Sequence, residues 1–163
     1  MASDINKELG TTEVKWNLGD LYSGYDDPVI EEDISFCQDE AKTINKDFAG
    51  RVENLTAEEL NALVTRFEKL EIRLGKLFTF AFLNFATQTH DQQVSAFLQR
   101  MREIGSSIGK DTVFFELAWN ELAQEKANML LEDDLLAHYR HHLENMRKYA
   151  PHQLSEIEEK ILL

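Results

Sequence analysis

Apolar residues recur along this chain with the period of a helix rather than a strand. From Leu60 the series Leu63, Val64, Phe67, Leu70, Leu74, Leu77, Phe78, Ala81, Phe82 and Phe85 follows the i, i+3, i+4, i+7 rule of a helix with one buried stripe. Thr56-Ala57-Glu58-Glu59 stands directly before it as a capping box, so the pattern predicts a long central helix starting there. Between Leu77 and Phe85, Phe80 and Leu83 carry the apolar character to other faces, which predicts burial on more than one side. Upstream, Asp27-Pro28 offers an N-cap followed by a proline at the first helical position, and this helix is expected to run to about Ala49, before Gly50. Downstream, Asp91 is placed to cap a third long helix with the stripe Val94, Phe97, Leu98, Met101, Ile104 and Ile108, continuing toward Phe115. Gly105 and Gly109 lie beside that stripe and predict a close helix contact or a bend.

The remaining segments are shorter. Asn120 to Leu131 predicts a short or broken helix. Asp133 or Asp134 then caps another, with Leu136, Tyr139, Leu143 and Met146 on one side and Pro151 ending it through the restraint on Ala150. Val14 to Tyr25 is aromatic, with Gly19 and Gly24 at turn positions, and reads as a short extended arm. Ser155-Glu156-Ile157-Glu158 is a further capping box with only a few residues after it, among them apolar Ile157, Ile161 and Leu162. A helix that short needs a surface to pack on, so the chain is expected to be part of a larger protein. The fold class predicted is all-α: an antiparallel bundle of long helices with a short extended N-terminal arm. A polar tail over 1–13 precedes a single helical domain over 14–163, with no internal repeat, low-complexity tract or linker.

Composition narrows the function classes. With 43% hydrophobic and 29% charged residues the chain is an ordinary globular sequence able to bury a core. Its 17 Lys+Arg against 30 Asp+Glu leave a formal charge of -13, which repels phosphate backbones and anionic membrane surfaces, so nucleic acid and membrane are not expected as partners. Leu74 to Ala86 is the most apolar stretch, but Lys76 and Asn84 interrupt it and it falls short of the ~20 residues of a membrane span. The single cysteine, Cys37, excludes an intrachain disulfide, and Met1-Ala2-Ser3-Asp4 lacks a signal-peptide pattern. A cytoplasmic address is the expectation.

The sharpest chemical constellation is His138-Tyr139-Arg140-His141-His142. On one predicted helix, His138 and His142 stand a turn apart, the spacing at which two imidazoles share zinc. A zincin needs His-Glu-x-x-His, however, and Tyr139 follows His138, so solvent-facing or interfacial histidines are the preferred reading. Nowhere does Glu-x-x-His occur, which argues against a di-iron bundle. Cys37 sits beside Phe36 on an amphipathic helix and reads as a small core or boundary residue rather than a thiolate. Gly105-Ser106-Ser107-Ile108-Gly109 has the Gly-x-Ser-x-Gly spacing, but it stands inside the expected third helix rather than at the strand-to-helix turn of a nucleophile elbow, and there is no phosphate-binding glycine loop. Glu31-Glu32, Glu58-Glu59, Asp133-Asp134 and Glu158-Glu159 lie in first helical turns, where the helix dipole favours negative charge, and read as solvated helix starts. The Phe78–Phe85 run reads as core packing in preference to a ligand pocket. No catalytic, cofactor-binding or metal-ligating residue is assigned.

Two segments go further. They are Trp16-Asn17-Leu18-Gly19-Asp20-Leu21-Tyr22, and Leu136 to Glu144 followed by Tyr149-Ala150-Pro151-His152-Gln153-Leu154-Ser155-Glu156-Ile157-Glu158-Glu159-Lys160-Ile161-Leu162. In this order, and with Leu77-Phe78-Thr79-Phe80-Ala81 between them, they resemble the N-terminal region of the oligoendopeptidase F group of zinc metallopeptidases. The resemblance implies a cytoplasmic peptidase that cuts short peptides inside a helical shell. Zinc and a His-Glu-x-x-His helix would belong to a missing C-terminal catalytic domain. This region would form part of the substrate-channel wall. The partners implied are that domain and oligopeptide substrates, with self-association of the fragment through an uncovered interface. A different class fits the same pattern: a free-standing helical module that binds a peptide or partner helix in an apolar groove. An independent zinc site at His138–His142 is the third reading.

Overall fold

The computed structural model describes residues 9–10 and 17–163. Trp16 and Val14, at the start of the predicted arm, lie outside the described residues. Three long helices make the body: α1 (Pro28–Phe48), α2 (Ala57–Thr87) and α3 (Gln92–Thr112), each packed on the other two. Their starts are those the caps predict. Asp27 accepts from the Val29 amide with Pro28 at the first turn, Thr56 and Glu59 complete their reciprocal box, and Asp91 accepts from the amides of Gln93 and Val94. Gly50 follows α1 at φ 72°, a left-handed conformation that glycine adopts without strain. Every apolar position predicted for the third stripe from Val94 to Ile108 is buried.

The central stripe holds as far as Leu77 and then departs from the expectation. Leu60, Leu63, Val64, Leu70, Leu77, Phe80 and Ala81 are buried, but Phe82 is 58% exposed. At about 100° per residue Phe82 lies about 140° around the helix from Leu77, whereas Phe80 and Ala81 fall within about 60° of it. The seam thus follows Phe80, which meets the rings of Tyr22, Tyr25 and Phe97 at centroid distances of 5.2, 5.6 and 6.0 Å. Phe78, half-buried, lays its ring against α3: a Cβ on Gly105 would stand 2.6 Å from its Cζ. The glycine therefore permits the close approach its position predicts.

The described part of the arm is turn-rich and lies on the bundle. Gly19 N–H donates to Asn17 Oδ1 (3.0 Å), the amides of Leu21 and Tyr22 both donate to the Leu18 carbonyl, and Leu18, Leu21 and Tyr25 pack on the core. Tyr22 is 3% exposed, so this segment is anchored rather than loose.

After α3 the chain bends at Val113 into α4 (Phe114–Glu121), breaks at Leu122-Ala123, and continues as α5 (Gln124–Leu131). The break expected between Asn120 and Leu131 is there, with α4 beginning earlier than the sequence suggests. The helix predicted after Asp133 is divided. Asp133 caps only a 3-10 turn, Asp134–Leu136; a turn follows, and α6 spans Arg140–Arg147. Leu136 and Leu143 are both buried, so the apolar spacing is satisfied by two pieces instead of one helix. A second 3-10 turn, Ala150–His152, carries Pro151, and α7 (Glu156–Leu162) starts at the predicted Ser155–Glu158 capping box. These short helices cover one flank of the bundle. Trp119, fully buried, donates from Nε1 to the Leu143 carbonyl (2.9 Å), and Leu136 seats its turn on α2. Among the described residues every regular element is an α-helix or a 3-10 turn, and no helix is long and apolar enough to cross a membrane.

Candidate functional site

The histidine tract does not converge. His138 precedes α6, with Tyr139 as the N-cap residue, so His138 and His142 do not share a helical face one turn apart. All three histidines are exposed. His138 Nε2 lies 3.8 Å from Glu68 Oε1, His141 shares a hydrogen bond with Asn145 (2.8 Å), and His142 faces Glu71 across a cleft. Among the described residues no group of three or more His, Cys, Asp or Glu side chains comes together in a way that fits a metal ion.

Two polar arrangements are structural. Asp33, 7% exposed, interrupts the apolar stripe of α1 and accepts from Tyr22 Oη (2.8 Å) and Arg73 (3.1 Å), with Lys76 Nζ at 3.9 Å. Burial, then the hydrogen bond to Asp33, then its charge push the Tyr22 hydroxyl far above its usual value. The neighbouring Cys37 is fully buried, and burial first, with the Asp33 charge second, raises its thiol to about 11, the surroundings of a packed core residue that disfavour the thiolate. The second arrangement closes the broken helices: Arg147 donates to the carbonyls of Trp119 and Leu122, and Arg140 donates to the Leu131 carbonyl (2.7 Å). Each guanidinium satisfies orphan carbonyls at the C-terminal end of α4 or α5, where the dipole also favours a cation. These arginines line a polar groove of about 640 Å³ with Glu132 and Glu144, and there the carbonyls take Arg140 Nε and both Nη atoms of Arg147, leaving Arg147 Nε buried without a partner among the described residues.

The arrangement best suited to hold a ligand is a cleft of about 440 Å³ between α2, the α3–α4 bend and α6. Its apolar lining comes from Val64, Phe67, Phe115, Met146 and Leu163, with Phe67 and Phe115 stacked at 5.1 Å between centroids. Leu163 sits against Gly109, where an added Cβ would stand 3.0 Å from its Cδ2, so the second glycine of α3 also serves a close contact. Glu71, Glu116 and His142 supply the ionisable groups of its lining. Glu71 is exposed at its surface, but desolvation by its neighbours still raises its carboxyl, and His142 opposes that rise. Neither Glu71 nor Glu116 forms an ion pair among the described residues. An apolar floor with a few convergent polar groups is the usual make-up of a binding pocket.

Sequence reasoning missed this cleft and the Asp33 cluster. For the cluster a signal existed, since Asp33 stands between Ile30, Ile34 and Cys37 in an otherwise apolar stripe. For the cleft there was little, because Glu71 and Glu116 are ordinary helix-surface residues until the α3–α4 bend brings them near one hollow.

Beyond the cleft, α7 presents Ile157, Ile161 and Leu162 at 74%, 76% and 72% exposure, an apolar face without cover among the described residues. Comparison with known proteins meets the structure here. Residues 119–163, from the end of α4 through α7, match the model of the N-terminal region of the peptidase M3 family, described as oligopeptidase F. No curated protein and no solved structure matches the chain at a significant level. The matched stretch contains the second of the two resembling segments, Leu136 to Leu162, and supports an N-terminal region of the oligopeptidase F family in this part of the chain.

Proposed function

We propose that this chain is the non-catalytic, helical N-terminal domain of a zinc-dependent oligoendopeptidase, a metalloendopeptidase hydrolysing short peptides, and that it forms part of the substrate-channel wall. The observation carrying this reading is the family match over residues 119–163, because that stretch includes the exposed apolar face of α7 and supplies His142, Met146 and Leu163 to the cleft. The face of α7 is where the catalytic domain docks. In this assignment the zinc and its His-Glu-x-x-His ligands belong to that domain, since the histidines here do not converge, and no catalytic step is given to this chain. Its residues instead bound the channel and hold peptide against an apolar floor. The cytoplasm is the compartment that fits a peptidase acting on short peptides.

A second reading is a free-standing peptide-binding module, which the apolar cleft with its few polar groups also favours. Mixing the purified chain with the separately produced catalytic domain of an oligoendopeptidase F separates the two. The channel-wall reading predicts a stoichiometric complex on size-exclusion chromatography and no chelator-sensitive hydrolysis of a quenched oligopeptide by the chain alone. Absence of a complex, with peptide binding retained, favours the module. Hydrolysis by the chain alone contradicts both.

A further inference from the structure

The cleft adjoins a second, smaller pocket of about 170 Å³, and Val113 and Glu116 line both. The smaller pocket lies between α4 and the segment leading to α7, walled by Asn120, His152, Gln153 and Glu159 among others. Asn120 is 8% exposed and its Oδ1 has no hydrogen-bond partner among the described residues. Gln153 Oε1 is buried and unpartnered as well. Gln153 Nε2 donates to the Leu117 carbonyl at 3.3 Å, which fixes the end of that amide carrying the oxygen. Buried polar atoms are rarely left without a partner, so the Gln153 oxygen and the unpartnered Asn120 amide, beside an unpaired Glu116, point to a ligand rich in N–H groups and positively charged.

We propose that the two cavities form one site for an oligopeptide with a bulky apolar residue next to an arginine. The apolar side chain occupies the larger cleft over Phe67, Phe115 and Met146. The guanidinium crosses Glu116 toward the oxygens of Asn120 and Gln153. Arginine fits better than lysine because its planar fork offers five donors to acceptors spread along one wall, while an ammonium presents a single compact charge. Each cavity has one histidine in its lining, His142 in the larger cleft and His152 in the smaller pocket, and neither has a lysine or arginine. That the ligand is a peptide rests on the proposed function; its charge and shape rest on the cavities alone.

The test is a nuclear magnetic resonance titration of the full chain with a capped hexapeptide carrying Phe-Arg at its centre, set against the same peptide with neutral citrulline in place of arginine. The expected result is saturable shifts at the amides of residues 113–120 and 149–154, with the citrulline peptide at least tenfold weaker. Glu116 is exposed, so Glu116→Gln and Glu116→Lys should keep the wild-type thermal melt. Glu116→Gln should weaken the arginine peptide at least fivefold, leave the citrulline peptide unchanged, and Glu116→Lys should abolish the preference. Equal affinity for the two peptides, no saturable binding, or insensitivity to both variants overturns the proposal. Because none of these readouts involves the catalytic domain, a failure here leaves the docking experiment to judge the channel-wall reading separately.

Discussion

Replacing Tyr22 by Phe isolates the buried hydrogen bond from Tyr22 to Asp33, which pins the segment before α1 into the core. The hydroxyl donates to Asp33 Oδ2 at 2.8 Å, and the ring is 3% exposed. Phenylalanine keeps the edge contact with Phe80 (5.2 Å) and the place of the ring under Lys76 Nζ (4.0 Å), so little packing is lost. Asp33 keeps Arg73 at 3.1 Å and is not orphaned. The change therefore removes one hydrogen bond to a charged acceptor, worth about 1.5–3 kcal/mol. At about 2–4 °C per kcal/mol for a domain of this size, the melting temperature should fall by about 3–12 °C at pH 8. Guanidinium melts by circular dichroism at two pH values add a second readout. Folding raises the Tyr22 pKa above its ordinary 10.0, so the native state holds the proton longer than the unfolded chain. Its contribution is then complete below about pH 10 and is lost as pH climbs beyond that, so the gap between wild type and Tyr22→Phe should narrow at alkaline pH. A gap under about 0.5 kcal/mol at pH 8, smaller than an ordinary hydrogen bond contributes, refutes the anchoring role. A gap that does not narrow refutes the electrostatic account of it.

Other substitutions follow from burial. Phe80→Ala should cost about 3–5 kcal/mol in a denaturant melt, while Phe82→Ala, two positions on but exposed, should stay within about 0.5 kcal/mol. Gly105→Ala forces the Phe78 ring off α3 and should destabilise by about 1–3 kcal/mol, and a shorter residue at 78 should recover part of the loss. Cys37, buried with its thiol raised to about 11, should resist a thiol reagent at pH 8 in the native chain and react only after unfolding.

What the sequence made legible was local. Caps at Asp27, Thr56, Asp91 and Ser155 are short-range hydrogen bonds between neighbours, and each starts a helix where it was expected. The stripe of α3 is readable because one side of that helix is buried along its length. Phe82 misled because two apolar faces diverge after Leu77, and only the ring cluster of Tyr22, Tyr25 and Phe97 decides that Phe80 goes inward. The division of the Asp133–Arg147 segment depends on Arg140 and Arg147 reaching carbonyls of α4 and α5, tertiary bonds that no periodicity encodes. The cleft is likewise a product of the bend at Val113 and the close contacts at Gly109. Of the family resemblance, the later segment falls within the matched residues, while Trp16–Tyr22 and Leu77–Ala81 lie before them.

Hydrogen exchange on the chain, with and without the catalytic domain of an oligoendopeptidase F, tests the central claim most directly. The exposed Ile157, Ile161 and Leu162 leave α7 held mainly by its capping box, so its amides should exchange fast in the free chain. Docking should slow exchange across residues 154–162 by at least tenfold while Leu60–Leu77 in α2 stays as protected as before, and turnover of a quenched oligopeptide by the catalytic domain should rise in the same mixture. Unchanged exchange at α7 together with unchanged turnover would contradict the assignment of this chain as an oligoendopeptidase N-terminal domain.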